Sequence, residues 1–235
     1  MRRAIALAAS ALALAAAAGC GGSSSTVTKT ITTDQLPTTA TVPTTATTLT
    51  APTTSDAGTL GEDRLPPADA VSGLRPGGVR QLADPQLFVD ALYQAGDPTK
   101  PVAAARLTGE GYAGGILRDQ IGKAPTTGIA LFRTYAFRLR DDAAAQGEVD
   151  ASVEEVRNST TQPTSDIDVS DLSGARALRV DISQGGLTGA VAFVTFAAGP
   201  YVYGLQGVST SGAGLPQDEI VAAARDLYEK VTAAP

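Results

Sequence analysis

The sequence predicts an α+β fold, in which an antiparallel sheet of about five strands packs against helices and follows a disordered Thr/Pro-rich stalk. Five short apolar segments lie in the C-terminal half of the chain. Turn residues join neighbouring segments, and short connections of this kind favour antiparallel pairing. Other stretches have helix caps or helical periodicity, and such helices must cover the apolar face of the sheet.

Helices are predicted where a capping acid or a proline precedes apolar residues at helical spacing. Asp84 and Pro85 mark the first helix, which should run to Gly96. Asp141 and Asp142 cap a later one. The predicted helices are 84–96, 101–107, 142–157 and 216–231.

Strands are predicted where apolar residues recur at every second position. Leu178, Val180 and Ile182 alternate with charged residues, which is typical of a half-buried strand. Turn residues at 183–186 and 199–200 link the last three strands into hairpins. The predicted strands are 112–121, 129–139, 178–182, 191–196 and 201–205.

Residues 1–19 have the pattern of a secretion signal. Arg2 and Arg3 are followed by an uncharged stretch of alanine, leucine, isoleucine and one serine over residues 4–18. A helix of that length spans about 22 Å, which is short of the ~30 Å hydrocarbon core of a bilayer. The stretch is therefore interpreted as a signal-peptide core and not as a membrane span.

Small residues at 17–19 directly precede Cys20, which is the single cysteine of the chain. This pattern resembles the lipobox of bacterial lipoproteins, although that family usually has leucine or another larger apolar residue where this chain has Ala17. The resemblance implies that the Cys20 sulfur receives a diacylglyceryl group, with palmitate-type chains. The mature protein would then be anchored in the cell membrane on its extracytoplasmic face. An ordinary secretion signal, with Cys20 incidental, is the alternative.

Residues 20–65 are predicted to contain the lipidated cysteine and a disordered linker. Threonine occupies 15 of the 29 positions from 26 to 54, with three prolines and two charges among the rest. Such a composition buries too little apolar surface to offset the entropy of ordering the chain. The segment resembles the O-glycosylated stalks of actinobacterial secreted proteins. Residues 66–235 then form the globular α+β domain.

The order of elements over residues 109–231 and the segment FAAGPYVYGLQG, residues 196–207, resemble small actinobacterial lipoproteins. Some of those proteins have a PsbP-like sandwich of sheet and helices. The resemblance therefore implies an α+β architecture, and it rests on element order and this phrase instead of a diagnostic motif.

The composition excludes several kinds of function. The chain has no histidine, and no cysteine follows Cys20, so the commonest general base, thiol nucleophiles and the commonest metal ligand are missing. The net charge of -6 argues against a nucleic-acid partner. We therefore expect no enzymatic activity, no cofactor and no metal site.

Three segments match a functional motif only in part. Residues 109–114, GEGYAG, fit G-x-G-x-x-G, but no acid stands where a ribose-binding residue would, so a turn entering a strand is expected. Residues 207–211, GVSTS, lack the last glycine of a nucleophile elbow and a histidine base. Residues 166–171 alternate carboxylates but lack the glycine and glutamate of a calcium loop.

Two further features bear on a ligand site. Tyr201 and Tyr203 share a strand face and are candidate ligand contacts that could stack on a sugar ring, with packing as the alternative. Glu154 and Glu155 are expected on the solvated side of their helix. We expect no pair of acids to converge across a cleft, as glycosidase chemistry requires.

These observations favour a lipid-anchored extracytoplasmic envelope protein with a non-enzymatic binding or accessory domain. Its partners would be the membrane, through the anchor, and a protein, a cell-wall polymer or a lipid. The alternatives are a carboxylate-dependent hydrolase of envelope polymer, a lipid or glycolipid carrier, and a structural accessory of a membrane machine. An enclosed apolar cavity would favour the carrier, whereas facing acids in a cleft would favour the hydrolase.

Overall fold

The fold is α+β, as predicted, and it is built on an antiparallel sheet. A computed structural model describes residues 59–93, 95–123, 128–184, 187–210 and 214–233, so the predicted signal segment, Cys20 and most of the linker lie outside the described residues. The described strands are β1 (Val79–Leu82), β2 (Gly115–Ile121), β3 (Leu131–Arg138), β4 (Thr164–Asp166), β5 (Arg176–Gln184), β6 (Leu187–Ala198) and β7 (Tyr201–Ser209). They lie in the order β1-β2-β3-β7-β6-β5-β4.

The prediction of about five strands is wrong in number, because the sheet has seven and both edge strands lack apolar alternation. All three residues of β4 are exposed, and Leu82 is the one buried residue of the four in β1. Backbone hydrogen bonds to the neighbouring strand hold such short edges in place. Side-chain periodicity therefore does not predict them.

Four α-helices occur in the described residues, namely α1 (Pro85–Leu92), α2 (Lys100–Gly109), α3 (Asp142–Ser159) and α4 (Gln217–Ala233). The predicted caps are present: the Asp84 carboxylate accepts from the Leu87 N–H and the Asp141 carboxylate from the Ala144 N–H, each at 2.8 Å. These caps satisfy amides that have no partner within the helix. None of the described helices combines the length and the apolar character needed to cross a bilayer.

Helices cover both faces of the sheet, whereas the sequence pattern indicated one apolar face. The α3 face is covered by α1, α2 and α3, and the α4 face by α4 and residues 60–74. Neighbouring residues of β7 show the division, since Val202 belongs to the cluster of Val149 and Tyr203 to the cluster of Ile220. Each face therefore has its own core.

The segment before β1 is fastened to the α4 face by side chains of β2. The Arg118 guanidinium donates to the Pro66 carbonyl at 2.7 Å and to the Glu62 carboxylate at 3.0 Å. The Gln120 amide donates to the Ala68 carbonyl at 2.7 Å. Because a buried guanidinium requires acceptors, this segment and the sheet stabilise each other.

Gly77 and Gly78, just before β1, provide a test of this packing. A Cβ at Gly77 would overlap the backbone carbonyl of Asp119 in β2, whereas a Cβ at Gly78 would meet no atom within 4 Å. We expect Gly77→Ala to lower the free energy of unfolding by about 2 kcal/mol, as overpacked sites do. Gly78→Ala should change it by less than about 0.5 kcal/mol. Urea unfolding measures both variants, and equal effects would contradict the described contact.

Candidate functional site

A cavity of about 590 Å³ lies on the α3 face, between the sheet and the helices α1 and α3. Strands β3, β6 and β7, with Leu178 of β5, form its floor. Asp90 and Ala95 are the exposed members of the lining, so the cavity opens to solvent beside the end of α1. Its volume falls in the range of roughly 300–1,000 Å³ that is typical of small-molecule sites.

The floor of the cavity depends on Gly204, which pairs with Tyr135 between β7 and β3. A Cβ at Gly204 would collide with the Tyr135 ring, so the missing side chain lets this ring lie across β7. Phe88 of α1 meets the same ring edge-on, with 5.6 Å between the ring centroids. The Tyr135 ring is thus held between sheet and helix on the side of the cavity.

Aromatic residues are concentrated around the cavity. Five of the eleven phenylalanines and tyrosines of the chain line it, and the chain has no tryptophan. The five are Phe88, Tyr93, Tyr135, Phe137 and Phe193. Aliphatic side chains from several elements also line it, among them Leu92, Leu131, Val153, Val156, Leu178 and Val202. The lining is therefore mainly apolar.

One wall of the cavity carries a network of polar side chains that joins three helices. Arg106 of α2 donates to the Glu148 carboxylate at 3.0 Å and to the Glu155 carboxylate at 3.2 Å. These glutamates lie on the same side of α3, because their spacing is close to two helical turns. The Tyr93 hydroxyl, directly after α1, donates to the other oxygen of Glu155 at 3.0 Å. The network thus ties α1 to α3.

Glu148 is the most buried acid of this network, with 4% of its surface exposed. Burial raises the pKa of its carboxyl group from 4.5 to about 8, Arg106 opposes the rise, and the nearby Glu110 carboxyl group adds to it. Arg106 Nε lies 2.9 Å from Glu148 Oε2, but the two atoms are not aligned for a hydrogen bond. Burial therefore favours the protonated form of Glu148.

One prediction about acidic residues is wrong in part. Glu154 is exposed, but Glu155 is not solvated, because Tyr93 and Arg106 bind it in the cavity wall. Glu148 and Glu155 meet at Arg106, but they stand on one wall and do not face each other across a cleft. Helical spacing could have placed both glutamates on the apolar side of α3. No local signal pointed to Arg106 or Tyr93, which lie far away in the sequence.

Tyr201 and Tyr203, the candidate ligand contacts, lie on the α4 face and contribute nothing to the cavity lining. Tyr203 is buried, and its hydroxyl accepts from Arg64 at 2.8 Å. Its ring stacks on Phe196, with 5.0 Å between the centroids. The Arg64 guanidinium also lies 4.2 Å from the centre of the Tyr201 ring. Both contacts correspond to the packing alternative for this pair.

The three partial motifs also contribute no residue to the cavity lining. Residues 109–114 run from the end of α2 into β2, the reverse of the strand-to-helix order that a dinucleotide site needs. Residues 207–209 lie within β7, and Ser211 is outside the described residues. Asp171 forms an exposed ion pair with Arg225 at 2.6 Å. No group of three potential metal ligands occurs in the part of the chain that the structure describes.

Comparison with known proteins finds a distant structural similarity. No protein-family model matches the chain, and no curated protein matches it. The chain is similar to the extracellular domain of PknH from Mycobacterium tuberculosis, with a TM-score of 0.40 and 11% identity, over 74% of this chain and 99% of that one. A similarity at this level assigns no function to the cavity.

The raised pKa of Glu148 makes stability depend on pH. The carboxyl group keeps its proton up to about pH 8 in the folded state, whereas its ordinary pKa is 4.5. Its contribution is fully present below pH 4.5 and is lost as the pH rises towards the raised pKa. We expect Glu148→Gln, which keeps the shape of the protonated group, to remove this decline. Urea unfolding over this pH range measures it.

Glu154→Gln is the matched control for this measurement, because Glu154 is on the same helix with 63% of its side chain exposed. This variant should keep the pH profile of the wild type. Parallel profiles for the wild type and Glu148→Gln would show that Glu148 releases its proton in the folded protein near the ordinary pKa.

Proposed function

We propose that the protein is a lipid-anchored, extracytoplasmic binding protein that holds a small apolar or amphipathic molecule in the cavity of the α3 face. The observation behind this proposal is the cavity itself, which is mainly apolar and lies between the sheet and two helices. Among the functions that the sequence left open, a lipid or glycolipid carrier fits such a cavity best.

Apolar contact would supply most of the affinity. Each methylene group moved from water into apolar surroundings contributes about 0.8 kcal/mol, which is about fourfold in the dissociation constant. A polar polymer would instead need hydrogen-bonding groups to replace its water. Two cations beside the cavity are already engaged, since Arg106 binds both glutamates and Arg133 binds Asp119 at 2.6 Å. An alkyl chain or a fused ring system therefore suits the cavity better than a sugar polymer.

We also propose that the domain is not an enzyme. Hydrolysis by two carboxyl groups requires them to lie on opposite sides of the bond that is cleaved. Glu148 and Glu155 lie on one helix and share Arg106, so they hold the wall together and do not enclose a substrate from two sides. This arrangement weakens the case for a carboxylate-dependent hydrolase of envelope polymer.

The anchor is proposed from the lipobox-like pattern around Cys20. A diacylglyceryl group gives stable attachment, whereas a single acyl chain gives marginal attachment. We expect the exported wild-type chain to enter the detergent phase on phase separation and to carry the mass of the lipid. Cys20→Ser should remain in the aqueous phase without that mass. An exported wild-type chain that is unmodified and water-soluble would contradict the anchor.

Ligand binding can be followed with one tryptophan, because the chain has none of its own. Phe193→Trp places an indole in the cavity lining, and Cys20→Ser in the same chain keeps lipid from competing. We expect octanol, decanol and dodecanol to change the fluorescence at decreasing concentrations, with about fourfold tighter binding per methylene until the cavity is full. Absence of a saturable response to all three alcohols would contradict the proposed function.

Two serines of α3 offer a matched pair of blocking variants. The hydroxyls of Ser152 and Ser159 each donate to the carbonyl three residues before, at 3.0 and 3.2 Å, but Ser152 alone of the two lines the cavity. We expect Ser152→Phe to weaken alcohol binding by roughly tenfold or more, because the ring occupies the ligand volume. Ser159→Phe should bind as the parent does. Equal losses in both variants would show that binding occurs elsewhere.

A further inference from the structure

We propose that the molecule bound in the cavity is an amphiphile with a cationic head, such as an alkylammonium group, and that this head lies at the wall formed by Glu148 and Glu155. The inference rests on the proposed function and adds the chemical class of the ligand. It follows from the charges, the burial and the aromatic rings around the cavity.

The charged groups of the lining include more acids than bases. Three carboxylates and one guanidinium line the cavity. The guanidinium, Arg133, is occupied by Asp119, to which it donates twice, at 2.6 and 3.1 Å. Among the carboxylates, Asp90 near the opening is paired with Lys100 at 2.8 Å. After these two ion pairs, the charged groups of the lining that remain are Glu148 and Glu155 in the wall.

Within that wall, Arg106 is the cation that lies nearest to several carboxyl groups. Arg106 binds both Glu148 and Glu155, and the Glu110 carboxyl group is close enough to raise the pKa of Glu148. One guanidinium therefore faces three carboxyl groups in a largely buried place. Once Glu148 is ionised, a second cation at this position would reduce the imbalance of charge, and a bound ligand could bring it.

Glu148 has hydrogen-bonding capacity to spare at this position. It is 4% exposed and lines the cavity, and its Oε2 atom has no aligned hydrogen-bond partner within the described residues. Buried carboxylate oxygens in folded proteins are nearly always hydrogen-bonded. When Glu148 is ionised, an ammonium group could donate a hydrogen bond to this oxygen, and a quaternary ammonium could place its positive charge beside it.

The aromatic residues favour the same class of ligand. Five aromatic side chains line the cavity. Burial raises the pKa of the Tyr135 phenol, and the nearby Glu148 carboxylate adds to the rise. Aromatic rings attract cations, and quaternary ammonium groups are recognised by rings of this kind. Above about pH 8, where Glu148 is ionised, a fatty-acid carboxylate would instead be repelled by this glutamate.

The proposal implies a defined pH dependence. The groups that face Glu148 are Arg106 and Glu110 at the end of α2, Tyr93 after α1 and Tyr135 of β3. Of these surroundings, burial and Glu110 keep Glu148 protonated below about pH 8. A permanent cation binds better when this proton is released, so its affinity should rise with pH across that value.

The test compares three probes of equal chain length on the full mature Cys20→Ser, Phe193→Trp chain, below the concentrations at which they form micelles. The probes are decyltrimethylammonium, decanol and decanoate. We expect the cation to bind roughly tenfold more tightly than the alcohol near pH 9, and the carboxylate to bind most weakly. Glu148→Gln should remove most of the advantage of the cation, whereas the exposed Glu154→Gln should preserve it.

The possible outcomes separate this inference from the proposed function. Binding of the alcohol with no preference for the cation, or with a preference for the carboxylate, overturns the cationic head and leaves the binding function intact. Binding of none of the probes overturns both. If Glu148→Gln does not fold, the pH dependence of binding to the parent chain still tests the cationic head. Its affinity for decyltrimethylammonium must rise with pH while that for decanol stays constant, and a flat profile for the cation overturns the inference.

Discussion

The interaction on which the candidate site depends is the pair of hydrogen bonds from Arg106 to Glu148 and Glu155. It links α2 to α3, and Tyr93 extends the link to the end of α1 by binding Glu155. Three helices from separate parts of the chain are thus joined to one another at one wall. Because these polar contacts hold the helices together, the apolar side chains beneath them need not fill the space above the sheet, and a cavity remains.

The two faces of the sheet differ in how completely their side chains fill the space under the helices. On the α4 face, Phe196 stacks on the buried Tyr203, and Gly207 leaves room for the side chain of Ile220. Dense packing of this kind is what a core normally shows. On the α3 face, charged groups occupy the wall of a cavity, where they contribute less to stability than an apolar filling would. Polar groups retained at such a cost are typical of sites that act on a ligand.

The sequence predicted most of the regular structure and little of the site. Alternation at Leu178, Val180 and Ile182 and the caps at Asp84 and Asp141 gave elements that the structure contains, because these signals act over a few residues. The edge strands were not predicted because they are held by backbone pairing and show no apolar alternation in their side chains. The cavity was not predicted because its wall joins Glu148 and Glu155 of α3 to Arg106 and Tyr93, which precede their partners by 42 to 62 residues. Spacing within α3 could have suggested that its glutamates face inward, but it could not supply their partner.

The central claim is that a small apolar molecule occupies the cavity, and native mass spectrometry of the mature chain released gently from membranes tests it most directly. We expect one added molecule per chain beyond the mass of the covalent polypeptide. That molecule should be apolar or amphipathic, and Ser152→Phe chains should lack it. A wild-type mass with no added molecule, or the same added mass in Ser152→Phe, would contradict ligand binding in the cavity.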